Sequence, residues 1–153
     1  MRHLLIAATA LALSAGPLTT TAAAQAHPPL TSPTWQANVG AQYAALLDSD
    51  SERVRADALG HIQLLARQQP DADLADTIEP LLALYETDRN DALRMAAVAA
   101  LHALGDSAGM ERLAELAQNE PSPTVRRVTN AALRDHSAAL SQREARALTY
   151  RVR

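Results

Sequence analysis

The chain has 153 residues and a formal net charge of −3, with 34 alanines, no cysteine, no phenylalanine and arginine as its only strongly basic residue. The lack of cysteine excludes a disulfide scaffold, a Cys-ligated zinc site, a Cys nucleophile and a lipid-modified N-terminal Cys. A core of Leu, Ala, Val and Ile with almost no aromatics points to an all-α fold, and the length to one domain.

The first segment reads as a targeting sequence rather than part of the fold. A basic start, Met1-Arg2-His3, precedes an apolar run from Leu4 to Ala15, then Gly16-Pro17 and small residues ending in Ala24-Gln25-Ala26. That order matches a secretory signal peptide over residues 1–26. The run is too short to span a bilayer, which takes about 20 residues. Cleavage after Ala26 gives a chain starting at His27 and bound for the periplasm or the exterior. Residues 27–34 are Pro-rich and polar and read as a flexible leader.

The rest, 35–153, repeats itself. Three stretches align on an arginine: Arg55 in Glu52–Leu59, Arg94 in Asp91–Val98 and Arg126 in Pro123–Asn130. Counting the preceding apolar residue (Val54, Leu93, Val125) as column 0, columns 4, 7, 8 and 11 fall on the same side of a helix. An amphipathic helix precedes each stretch. The first carries Val39, Tyr43, Leu46 and Leu47; the second Leu74, Ile78, Leu81, Leu82 and Tyr85; the third Met110, Leu113, Leu116 and Ala117. The repeats span about 35–69, 71–105 and 107–137. Helix starts are marked by Ser32-Pro33, by the capping box Ser49-Asp50-Ser51-Glu52, by Asp88 to Asp91 in the same columns, and by Ser122-Pro123. Gly105-Asp106-Ser107 closes the second repeat. A second box, Ser141-Gln142-Arg143-Glu144, predicts a separate last helix at about 142–150, within a C-terminal cap at 138–153.

This arrangement resembles HEAT repeats. The middle unit carries the resemblance best, with Pro80-Leu81-Leu82 in its first helix, Asp88 in the turn, and Leu93-Arg94 opening a second helix that holds Ala96, Ala97, Ala100 and Leu101. Pro inside a helix costs about 3 kcal/mol, and the family's tolerance of a bend there accounts for Pro80. The first unit lacks that Pro and has His61 in a small-residue column. The third has Thr129 in place of Ala and crowds its turn with Pro121 and Pro123. Armadillo-like arrays share much of the pattern. The resemblance implies a short right-handed α-solenoid of three helix pairs with a C-terminal capping helix.

A search for catalytic chemistry returns little. The histidines His61, His102 and His136 do not line up, and neither H-x-x-x-H nor the His-Glu pair of HEAT-like iron hydroxylases occurs. G-x-S-x-G, a Gly-rich phosphate loop and a Cys/His pair are also missing. Acid pairs such as Asp71/Asp73 and Glu111/Glu115 fall at caps or on solvated helix faces. The sequence therefore predicts no catalytic residue, no metal and no cofactor.

Arg55, Arg94 and Arg126 lie at column 1, on the flank of the buried face, and are expected to form an inter-repeat ladder to a turn acid or a carbonyl. The opposite face of the second helices, concave in a HEAT stack, carries Gln63, Arg67, Met95, His102, Arg127 and Arg134. These are the candidate partner-binding residues, over a floor of Gly60, Ala99 and Ala131.

Residues 27–120 hold 6 Arg against 15 acids, and residues 121–153 hold 7 Arg against 2. The basic end suits an acidic partner, an anionic envelope surface or another copy of the chain. Overall acidity and secretion argue against nucleic acid. The function implied is a non-enzymatic protein-interaction scaffold or adaptor of the cell envelope. The alternatives are a HEAT-like lyase or a small-ligand or metal-handling protein, and a structural subunit of an envelope complex. Secretion by a bacterial host is expected to release a protein whose N-terminal residue, read by mass spectrometry, is His27; retention of Met1 would refute the targeting assignment.

Overall fold

The structure, a computed structural model, describes residues 33–151. The expected signal peptide and residues 27–32 of the leader lie outside the described residues. Pro33 and Thr34, assigned above to the leader, are already helical. Among the described residues the fold is all helical: α1 (Pro33–Leu47), α2 (Glu52–Gln68), α3 (Ile78–Thr87), α4 (Asp91–Leu104), α5 (Ser107–Ala117) and α6 (Pro123–Arg151). A 3-10 turn, Ala75–Thr77, leads into α3. Each odd-numbered helix packs on the one that follows it, and α4 packs on both α2 and α6. The result is a short α-solenoid with α4 at its centre.

The three pairs are built by one local device. Position 2 before each cap residue supplies a side-chain acceptor for the cap's own N–H. Ser49 Oγ accepts from Ser51 at 3.2 Å, Asp88 Oδ1 from Asn90 at 2.8 Å and Glu120 Oε1 from Ser122 at 2.7 Å. The cap side chain then accepts from the first helical turn: Ser51 from Val54, Asn90 from Ala92 and Ser122 from Val125. Each contact satisfies a backbone donor that the helix itself cannot.

Three boundaries differ from the sequence reading. The cap of α2 is Ser51 rather than Ser49, because Ser49 is occupied in folding the turn. Pro80 falls in the first turn of α3, where a missing N–H goes unused, so it costs far less than an interior Pro. The predicted break near Ser141 does not occur, and α6 is one helix of 29 residues. No Gly or Pro follows Pro123. Ser141 Oγ bonds back to the Ser137 carbonyl at 3.0 Å instead of capping a new start. The C-terminal cap is therefore the second half of α6 and not a separate element.

The core follows the apolar columns. Ala58, Leu59 and Ile62 of α2 meet Ala97, Val98, Ala100 and Leu101 of α4, all at 1% exposure or less. Leu81, Leu82 and Tyr85 of α3, Met110 and Leu113 of α5, and Val125 of α6 complete it. Each such Leu or Ile contributes about 1.5–3 kcal/mol by leaving water. Alanines at columns 4 and 7 allow the helices to approach closely. His61, at column 7 of the first repeat, is exposed at the rim and meets Tyr43 edge-on, 6.1 Å between ring centroids. Burial pushes the Tyr43 phenol above its ordinary pKa.

Two glycines should respond oppositely to Ala. A Cβ on Gly40 would lie 2.6 Å from the Asp73 carbonyl oxygen, whereas one on Gly60 meets nothing within 4 Å. Gly40→Ala is expected to destabilise by about 1–3 kcal/mol, because backbone must move. Gly60→Ala is expected to stabilise by about 0.5–1 kcal/mol, as Gly in a helix interior does worse than Ala. Urea denaturation of both variants checks the pair of signs.

Candidate protein-interaction surfaces

The capped turns bring the N-termini of α2, α4 and α6 to one edge of the stack, and the column-1 arginines bind across it. Arg55 reaches Asp88 Oδ2 through Nε at 3.1 Å and through Nη2 at 2.8 Å, and its Nη1 donates to the Ser49 carbonyl at 2.7 Å. Arg94 donates from Nε to the Tyr85 carbonyl at 2.9 Å and pairs through Nη2 with Glu120, and its guanidinium lies 5.8 Å from the Tyr85 ring centroid. Arg126 donates to the Glu120 carbonyl at 2.9 Å. Arg55 and Arg94 thus each span to the next repeat, whereas among the described residues Arg126 holds its own turn.

The Arg94–Glu120 pair is the buried member, with side chains 10% and 1% exposed. Both ions are covered by Tyr85 and the surrounding turn. Burial also pushes the Tyr85 phenol above its ordinary pKa; its oxygen lies 3.4 Å from the Thr129 hydroxyl, which donates to the Val125 carbonyl at 2.9 Å.

The six candidate partner-binding residues divide into two groups. Gln63 donates from its side chain to the Ala96 carbonyl at 3.3 Å, and His102 Nε2 lies 3.0 Å from Asp135 Oδ2. Column 9 therefore cross-links neighbouring inner helices. Met95 is partly buried and packs against the core. Arg67, Arg127 and Arg134 are exposed, and no ion pair engages them among the described residues. Of the expected binding face, these three arginines stand free of the stack over the exposed small residues Gly60, Ala99 and Ala131.

The structure adds a groove that the sequence reading missed. It lies between the outer helices α1 and α3, beside the turn edge, with a volume of about 950 Å³. Ala44, Ala45, Pro80, Ala83 and Leu84 give it an apolar floor, and its polar lining sets Asp48, Glu52, Glu79 and Asp88 against Arg55 and Arg89, with Asp88 paired to Arg55. Its sequence signal is an acid in each turn beside small residues on the outer helices. That signal spans two repeats and is invisible within either one.

Among the described residues no group of three or more His, Cys, Asp or Glu side chains is placed to hold a metal ion. No described helix is long and apolar enough to cross a membrane.

A comparison with protein families matches HEAT repeats over residues 42–134. That is more than half of the chain, and the protein belongs to the HEAT-repeat family. No curated protein and no solved structure matches it. HEAT repeats commonly mediate protein–protein interaction, and the family is typically a non-catalytic scaffold.

Removing one partner of the buried pair leaves the other charge uncompensated, which costs about 3–5 kcal/mol. Arg94→Met and Glu120→Gln are each expected to destabilise by that order. The double variant should recover part of the loss, because neither ion is then left alone. A double-mutant cycle by chemical denaturation checks this, and additive losses would show that the two residues do not act as a pair.

Proposed function

We propose that this protein is a non-enzymatic interaction scaffold of the cell envelope. It works in the periplasm or outside the cell after cleavage near Ala26, and holds a partner protein against the inner-helix face or the basic C-terminal end. The observation that carries the reading is the contrast within the candidate face. Gln63, Met95 and His102 are used in holding the stack together, while Arg67, Arg127 and Arg134 are exposed with no ion-pair partner among the described residues. Exposed arginines over a shallow floor of small residues suit recognition of carboxylates, which Arg can grip with two parallel hydrogen bonds. The excess of arginine after residue 120 favours an acidic partner.

The test is affinity capture from an envelope extract, with an Arg127→Glu, Arg134→Glu double variant run alongside. Both residues are exposed, so the variant should keep its helical content and melting temperature. A partner bound by the wild type is expected to be lost or weakened at least about tenfold by the variant, the scale of losing one or two charge-paired contacts. Equal capture by both proteins would remove the inner-helix face from the reading.

A further inference from the structure

Among the described residues, α6 runs past the stack and is exposed throughout from Ser141 to Tyr150. The residue of α6 that aligns with Leu104, the end of α4, is His136, so residues 137–151 overhang by about 22 Å at 1.5 Å per residue. Every described side chain from 141 to 150 is exposed, with Tyr150 at 91%. Helical spacing places Ala139, Arg143, Arg146, Ala147 and Tyr150 along one stripe, at i, i+4, i+7, i+8 and i+11. The stripe offers an aromatic anchor, two small residues and two cations.

The groove between α1 and α3 offers the complement. Its floor is Ala44, Ala45, Ala83 and Leu84, and its lining holds four acids, Asp48, Glu52, Glu79 and Asp88, against two arginines, Arg55 and Arg89, which leaves it acidic on balance. Asp48 is in no ion pair among the described residues, and the Glu79 partner, Arg112, is half exposed. One molecule cannot bring the two together. The bonded turns fix the groove at the edge where the inner helices begin, and α6 leaves by the opposite edge. No Gly or Pro after Pro123 allows it to turn back.

We infer that the overhanging end of α6 docks in the α1–α3 groove of a second copy of this chain. Tyr150 enters the apolar floor, and Arg143 and Arg146 meet Asp48 and Glu79. This rests on the reading of the basic end as a docking element and supplies its occupant. It uses the chain's own charge division, with the acids concentrated before residue 121 and the arginines after it. The contact is helix-in-groove recognition. It is small beside a standard interface of about 800 Å² per partner, so association is weak and falls with salt.

The experiment is sedimentation of the purified protein over a concentration series, at low and high salt. Mass above the monomer is expected to appear with concentration at low salt and to recede at high salt. Tyr150→Ala should weaken association about tenfold, as for a buried aromatic anchor. The tail variant Arg143→Glu, Arg146→Glu and the groove variant Asp48→Arg, Glu79→Arg should each be monomeric. An equimolar mixture of these two should associate again, because each then offers what the other needs. Circular dichroism on each variant checks that it is folded. A wild type that stays monomeric throughout would overturn the inference, as would association that survives the tail variant or a mixture that fails to recover it. None of these variants touches Arg127 or Arg134, so capture of a foreign partner through the inner-helix face stands or falls separately.

Discussion

A carboxylate in each of two turns, Asp88 and Glu120, holds this structure in register. Asp88 and Glu120 each use one oxygen to fold their own turn and the other to take an arginine from the preceding repeat. Forming the turn therefore prepares the docking site for the neighbour, and docking fixes the turn. Apolar packing alone would do this poorly. The faces between α2, α4 and α6 are largely Ala, Leu and Val, and such surfaces tolerate sliding because burial has no direction. In a solenoid each repeat contacts only its neighbours, so a register set at one junction is the only information passed to the next. In the first turn, where the described residues show no preceding repeat, the position is Ser49, whose hydroxyl accepts from the N–H of the cap Ser51 without carrying a charge.

A buried ion pair such as Arg94–Glu120 is weak evidence for net stability, since removing both ions from water opposes their attraction. Its geometry suits specificity better. Glu120 is reached by Arg94 from α4 and, through its backbone carbonyl, by Arg126 from α6. Shifting either helix by one residue would break those bonds and leave a carboxylate that is 1% exposed without its partner. Misregistered stacks are thereby penalised more than the correct one is stabilised.

Much of the fold was legible because its signals are local and periodic. Column spacing, the recurring arginines and Gly105, with φ +67° at the end of α4, mark helices and boundaries from nearby residues alone. What escaped depends on competition or distance. Ser49 and Ser51 both fit a cap, and only the turn geometry decides between them. Ser141 to Glu144 matches a capping box, but a box starts a helix only where the chain has left the previous one, and Ala and Leu residues from 138 to 140 keep α6 going. In the sequence His102 and Gln63 look like free polar residues on the concave face, yet their partners, Asp135 and Ala96, sit about one repeat away. The groove between α1 and α3 escaped for the same reason. Column 11 shows a residue out of pattern: Leu65 and Leu104 are followed by His136, whose Nε2 is buried and has no hydrogen-bond partner among the described residues. An orphaned buried polar atom costs about 1–3 kcal/mol.

The same columns show how the stack ends. Leu59 and Val98 are fully buried, and the aligned residue on α6 is Asn130, which is exposed. Gln63 and His102 bond forward to the next inner helix, and the aligned residue is Arg134, also exposed. Arg55 and Arg94 reach forward to an acid, and among the described residues Arg126 bonds the carbonyl of its own turn. Of these three positions, the apolar one becomes Asn130 on α6, the polar one becomes Arg134, and the arginine is kept but has no acid ahead of it among the described residues. A polar outer face is what a terminal repeat needs to stay soluble. Asn and Arg there disfavour a further repeat stacking by burial, because desolvating an unpaired guanidinium is costly. Contacts that a carboxylate can satisfy remain open. From α4 to α6, apolar stacking at these columns therefore gives way to exposed polar and cationic side chains.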